Sequence, residues 1–159
     1  MENKKIKNAT PKVYDGIKFK SLLEVSAYKH LKAAGFNPNY EQFKCTVWEG
    51  FKPKVPFYKE GEKIKDLILQ DDKVRSTTYT PDFTFVYKNI FVVIELKGHI
   101  NDTYPIKRKL FRKWMELYLP EGIFFEIRTI KQLKQAIKII ENYAKSYTQN
   151  KESSKALAR

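Results

Sequence analysis

The sequence predicts an α/β fold in one domain, a mixed β-sheet flanked by helices. Three observations predict it. Segments of helical apolar period alternate along the chain with short β-rich runs. One pair of those runs, residues 81–98, reads as a tight hairpin. The length of 159 residues and the 42% hydrophobic content suit a single packed core. Residues 1–147 are expected to form the domain, and the polar stretch 148–159 a disordered tail.

Taken in order, "KVYDGIKF" places Asp15-Gly16 between two β-like runs, a two-residue hairpin signal. In "SLLEVSAYKHLKAAG", Leu23, Ala27, Leu31 and Ala34 recur at helical spacing and Gly35 stops the helix. "YEQFKCTVW" alternates as a strand, with Phe43, Cys45 and Val47 on one side. Between residues 49 and 73, Pro53 and Pro56 break the chain, and "KDLILQ" is too short to assign by period. "VRSTTYT" leads, β-rich, into the hairpin.

After Gly98 a helix is expected, with Asp102 or Thr103 as cap, Pro105 in its first turn and Pro120 after its end. Ile106, Leu110, Trp114 and Leu117 make its predicted apolar stripe. "GIFFEIRT" is a strand. "IKQLKQAIKIIENYAKSY" is a second amphipathic helix, with Thr129 as cap and Leu133, Ile137, Ile140 and Tyr143 inward.

The hairpin carries the chemistry. With Lys88-Asn89 as a two-residue turn, residue i faces residue 177−i, so Asp82 faces Glu95. A four-residue loop over 87–90 keeps that pairing, whereas a three-residue loop would break it. Lys97 shares the face of Glu95, and Leu96 points the other way. Opposed β-carbons lie about 4.5–5.5 Å apart, and like charges at that spacing repel. On an otherwise apolar strand pair the two acids need a shared proton, a lysine or a cation. Oxygen ligands of this kind suit Mg²⁺, with Mn²⁺ as a substitute. The bland alternative is a salt-bridged strand end. An acid, any residue, then lysine occurs three times, from Glu2, Asp71 and Glu95, but only the third closes an apolar strand with an acid opposite.

Pro81-Asp82, twelve residues, then Glu95-Leu96-Lys97 resembles the PD-(D/E)xK signature of restriction-endonuclease-like nucleases. The order of elements is similar to their core, and most similar to small phage endonucleases of the Holliday-junction-resolving endonuclease I type. The resemblance covers about residues 12–130. It implies that Asp82, Glu95 and the Leu96 carbonyl hold the catalytic ion, and that Lys97 orients or deprotonates the attacking water. It also implies a place for Glu24 on the first helix, where it could help bind a second ion. Ser21-Leu22-Leu23-Glu24 is equally a capping box, the structural reading of the same glutamate. Two carboxylates and a lysine are parts that phosphodiester hydrolysis needs. His30 and His99 are poorer candidates, and no serine or cysteine has a visible base partner.

The balance of 31 Lys+Arg against 18 Asp+Glu, +13 net, favours a polyanionic partner, foremost DNA. Lys107, Arg108, Lys109, Arg112 and Lys113 crowd one helix just after the motif and are read as phosphate-tracking residues. The expected function is a Mg²⁺-dependent DNA endonuclease, acting on branched or otherwise structured DNA. Two alternatives stay open: a basic nucleic-acid-binding module without catalysis, and a nicking or restriction-type enzyme that reads sequence. Junction cleavage would call for a homodimer, since two symmetric cuts need two sites. No apolar run approaches membrane-spanning length, and "MENKKIKNATPK" has no signal-peptide core. With one cysteine, Cys45, expected in the core, a cytoplasmic setting follows, that of the host if the gene is a phage's.

Overall fold

The computed structural model describes residues 11–62, 65–98 and 103–157, with residues 148–157 by their backbone alone. Strands β1 (Lys12–Tyr14) and β2 (Ile17–Phe19) pair antiparallel. They turn through Asp15 and Gly16 at φ 53° and 73°, the left-handed pair of a tight hairpin. Helix α1 (Leu22–Ala33) buries Ala27, Tyr28 and Leu31. Gly35 then turns the chain at φ 82°, a conformation costly for any residue with a β-carbon. The expected strand over 40–48 is split. Strand β3 (Asn39–Tyr40) ends where Glu41 adopts φ 48°, and β4 (Cys45–Trp48) starts afresh. Phe43, Cys45 and Val47 nevertheless share one apolar cluster.

The segment that resists assignment from sequence is a long antiparallel ribbon. It comprises β5 (Phe57–Glu60), β6 (Leu67–Gln70) and β7 (Thr77–Tyr79) together with β4. Cys45 faces Tyr79 at its base, Phe51 faces Val74 midway, and Glu60 faces Leu67 near its tip. Partner numbers sum to 124 at the base, 125 at the middle and 127 at the tip, so the register slips twice. One slip lies between Thr46 and Trp48, and the other spans Pro53 and Pro56. Gly50 permits the close approach: a β-carbon there would meet Val74 O and Ser76 N, both at 2.7 Å.

The remaining elements are β8 (Phe83–Tyr87), β9 (Ile90–Leu96), α2 (Tyr104–Tyr118), β10 (Ile123–Ile127) and α3 (Ile130–Leu157). The central sheet has the order β10-β9-β8-β3, with β10 parallel to β9 and the other neighbours antiparallel. This is the mixed sheet of the α/β class. Its two faces are covered differently. Phe83, Phe85, Val92, Ile94 and Leu96 pack with α1 and α3, whereas Phe91, Val93 and Phe124 pack with α2 and the base of the ribbon.

Two helix stripes are rotated from expectation. In α2 the buried residues are Tyr104, Phe111 and Met115, while Ile106 and Leu117 are exposed. The larger aromatic set wins the interior because Phe111 packs on Tyr79, Trp114 and Phe124. In α3, Leu133, Ala136, Ile140 and Ala144 are buried, and Ala144 takes the inward place expected of Tyr143. Thr129 does cap α3: its hydroxyl accepts from Gln132 N at 3.2 Å, and Gln132 Oε1 accepts in return from Thr129 N. The helix continues through residues 148–157, where a polar tail is expected, because no Gly or Pro interrupts it. At the start of α2, Thr103 holds the N-cap position and Pro105 the first turn, and Asp102 lies outside the described residues.

Candidate active site

The β8–β9 turn is Lys88-Asn89, with φ 48° and 68°. It sets Phe83 opposite Ile94 and Tyr87 opposite Ile90, the 177−i register. One step further, Asp82 comes opposite Glu95 on the face that α2 covers. Asp82 Oδ2 accepts a hydrogen bond from Leu96 N at 2.6 Å, which ties the two strand ends together. Glu95 is 4% exposed, and its Oε1 pairs with the Lys97 ammonium. Its other oxygen, Oε2, is buried without a well-formed hydrogen bond, as is the Tyr79 hydroxyl. Burial first, then the charge of Glu95, raises the Asp82 carboxyl to about 8. The Leu96 N–H and Lys97 pull the other way without cancelling this, and Glu24 adds to the rise. Burial and the Glu95 charge also keep the Tyr79 phenol neutral.

Lys97 is held from two sides. Its ammonium meets Glu95, and it lies 4.1 Å from the centre of the Tyr104 ring. Tyr104 is fixed in turn, since its hydroxyl donates to Glu126 Oε2 at 2.9 Å, and Arg108 Nη1 donates to the same oxygen at 2.6 Å. Partial burial pushes the Glu126 carboxyl up, but the bonds from Arg108 and Tyr104 outweigh it and hold it below the ordinary range. Glu126 sits beside Glu95 in the parallel β9–β10 register. Asp82, Glu95 and Glu126 therefore form a row across three adjacent strands. Nothing in the spacing of β10 announces this, because a parallel register depends on the whole crossover through α2.

Glu24 satisfies the capping box fully. Its Oε2 accepts from Lys20 N at 2.7 Å and Ser21 N at 3.2 Å, and Ser21 Oγ accepts from Glu24 N at 3.2 Å. The same oxygen accepts from the Tyr40 hydroxyl at 2.7 Å. Glu24 is thus a cap whose charge also reaches Asp82. Sequence reasoning missed Lys20, which pairs with Glu41. Partial burial would lower the Lys20 ammonium, but Glu41, Asp82 and Glu24 together raise it. Glu41 N donates to Asp82 O at 2.9 Å, so the left-handed residue at the β3 end anchors the strand bearing Asp82.

Of these side chains, Lys20, Glu41, Tyr79, Glu95, Lys97 and Tyr104 line a cavity of about 600 Å³ together with Lys107, while Asp82 and Glu24 are not among its walls. Of the five basic residues of α2, Lys107 faces this cavity and Arg108 is bound to Glu126. Lys109, Arg112 and Lys113 are exposed. His30 Nδ1 donates to Ser26 O, 2.8 Å away on its own helix, and His99 lies outside the described residues. Cys45 is buried, and its thiol is pushed up to about 11 by that burial. Among the described residues no three acids, histidines or cysteines gather into a ready cation cage.

A family model described as "Protein of unknown function (DUF1064)" matches residues 4–134. The chain belongs to the DUF1064 family. The DUF1064 match spans the whole candidate site, from Lys20 to Arg128, as well as the ribbon. No curated protein and no solved structure matches the chain. Among the described residues no helix is long and apolar enough to cross a membrane.

Proposed function

We propose that this protein is a metal-dependent nuclease that hydrolyses DNA phosphodiesters, with Mg²⁺ as its ion and Mn²⁺ as a substitute. One observation carries the reading: a buried carboxylate pair at the open end of an apolar hairpin, with a lysine fixed beside it and a cation-lined cavity in front. In this reading Asp82, Glu95 and Lys97 fill the places of the PD-(D/E)xK signature, on a restriction-endonuclease-like core.

The donor set fits a hard divalent ion. The bare Glu95 Oε2, raised Asp82 and the Leu96 carbonyl at the same strand end would hold it, with waters completing the shell. Mg²⁺ keeps several waters and needs only one or two carboxylates, so the lack of a third acid is no obstacle. Such an ion, when bound, would polarise a phosphate oxygen and acidify a bound water. Glu24 contributes negative charge to this end of the sheet while it caps α1.

The chain's own residues have separable tasks. Lys97, clamped between Glu95 and Tyr104, presents an ammonium to the scissile phosphate and orients the attacking water. Lys20 and Lys107, both in the cavity wall, draw the flanking phosphates in. Lys109, Arg112 and Lys113 extend that path along the exposed face of α2. Branched or structured DNA is the proposed substrate.

The test is a cleavage panel of duplex, single-stranded, nicked and four-way DNA with Mg²⁺, Mn²⁺ or EDTA. Cleavage that needs the metal and favours the four-way substrate is the expected result. Tight binding of every DNA without metal-dependent shortening of any strand would make this a binding module instead. Equal cutting at one sequence in plain duplex would make it a sequence-reading nuclease.

A further inference from the structure

The tip of the ribbon is built unlike the rest of the molecule. Every residue of β5 is exposed, and so are Leu67, Ile68 and Leu69 of β6, at 74%, 42% and 53%. Two strands paired only with each other are marginal in water, and three or more strands with an apolar face are needed for stability. The two outer edges differ. The β5 edge carries Lys59 and Glu60 and is entered through Pro56, the usual guards against strand addition. The β6 edge offers three consecutive apolar residues and no charge or proline.

We propose that the β6 edge is a self-association surface, on which a second copy of this chain adds its own β6 antiparallel across a two-fold axis. In such an isologous pair a residue can face itself, and its neighbours then pair reciprocally. With the axis at Ile68, Ile68 faces Ile68 of the second copy and Leu67 faces Leu69. Asp66 then meets Gln70, and Lys65 meets Asp71, an opposite charge. Asp71 already has an exposed partner, Lys52 at 3.3 Å, and the acid is 81% exposed, so it keeps room for a second. Opposed residues lie on one face, so Tyr58, Leu67 and Leu69 of both copies share one side of the resulting four-stranded sheet. An axis at Leu67 would instead set Asp66 against Ile68, and one at Leu69 would set Leu67 against Asp71. Charge and apolar matching together select Ile68.

The occupant is a protein rather than DNA because the ribbon lacks the basic excess of the chain. Residues 51–74 hold six lysines and five acids, a net charge of +1, within a chain of +13. The inference stands apart from the nuclease reading and needs none of its residues.

Its test is the mass of the full chain, followed by sedimentation and light scattering over a concentration series. Wild type is expected to pass from monomer to dimer. Ile68→Asp and Ile68→Lys each oppose like charges across the axis, and each should raise the dissociation constant by roughly a hundredfold or more. Because residue 68 faces itself, an equimolar mixture of the two variants should recover the dimer. Circular dichroism checks that both variants stay folded; residue 68 is exposed and belongs to neither apolar cluster. A wild type that stays monomeric overturns the proposal, as does a dimer that survives both substitutions. Two monomeric variants that fail to associate when mixed would rule out this axis. A loss of DNA affinity in Ile68→Asp with no change in mass would give the tip to DNA.

Discussion

The two faces of the central sheet are made from alternate residues of the same strands, yet they do different things. On the side of α1 and α3, β9 contributes Ile90, Val92, Ile94 and Leu96, and no charged residue is buried in that cluster. On the side of α2 it contributes Phe91 and Val93, then Glu95 and Lys97 as the strand leaves the apolar layer. The α2 face is apolar at the turn end and ionic at the open end, where Asp82, Glu95 and Glu126 form a row across three strands. Period-two alternation lets one strand hold a core on one side and a cluster of charged residues on the other. The cost of burying acids falls on a face that has spare packing, Phe111 against Tyr79, Trp114 and Phe124, to offset it.

The sharpest way to break this contrast is to substitute one residue on each face. Glu95→Gln and Asp82→Asn should each lower metal-dependent cleavage by about a hundredfold or more, the scale of losing one preorganised electrostatic group. Asp82→Asn should keep a wild-type melting temperature, since Asp82 already holds a proton in the folded chain, whereas Glu95→Gln leaves the Lys97 ammonium without its partner and should melt lower. Leu31→Ala, fully buried on α1 in the cluster against the opposite face, should cost about 2–5 kcal/mol of stability. Below its own melting point it should cleave normally. Single-turnover rates and calorimetric melting on all three proteins decide the matter. Stability loss without rate loss in Glu95→Gln would mean that the α2 face is only a core.

A second test uses protons. The Asp82 carboxyl is raised in the folded chain, so the native state holds a proton there that the unfolded state releases. Stability without metal should therefore fall as pH climbs from the ordinary carboxylate value near 4 to about 8, and level off above it. A divalent ion competes with that proton. The melting shift produced by Mg²⁺ should be small at pH 5 and largest above about pH 8. Asp82→Asn should flatten the metal-free slope and lose most of the Mg²⁺ shift. An equal Mg²⁺ shift at both ends of that range would place the ion away from Asp82.

What can be read from the sequence follows from how local each signal is. The β8–β9 register is legible because a two-residue turn fixes every pair after it, and Lys88 and Asn89 do adopt the left-handed conformations of that turn. The caps at Ser21 and Thr129 are equally local. The α2 stripe misleads because two apolar stripes compete on that helix. Only the aromatic neighbours on the sheet and ribbon favour Tyr104, Phe111 and Met115 over Ile106 and Leu117. The ribbon is opaque because its register slips twice, so no single alternation runs through it. Lys20, Glu41, Tyr104 and Glu126 reach the site through chain reversals and a parallel crossover, and no spacing rule within one segment can join them.

The smallest expected effects separate the basic residues of α2 from one another. They are a single cluster in sequence, but the fold divides them. Arg108 is bound to Glu126 beside Tyr104, whereas Lys109 and Lys113 stand exposed with no ion pair among those found in the described residues. Lys109→Gln with Lys113→Gln should weaken DNA binding and flatten its salt dependence by roughly 0.9 for each duplex phosphate no longer neutralised. Cleavage at saturating DNA should barely change, because Lys97 and the acids are untouched. Arg108→Gln should do the reverse. Its charge is already balanced by Glu126, so the salt slope should hold nearly constant. Freed of Arg108, however, Glu126 and the Tyr104 hydroxyl lose a shared anchor, and the ring that supports Lys97 gains freedom. A fall in single-turnover rate of about tenfold is expected, the lower end for a group that orients another. Binding titrations at several salt concentrations, with cleavage measured in parallel, distinguish the two variants. If both change the slope alike and leave the rate alone, Arg108 belongs with the phosphate-tracking residues and Tyr104 needs no clamp to hold Lys97.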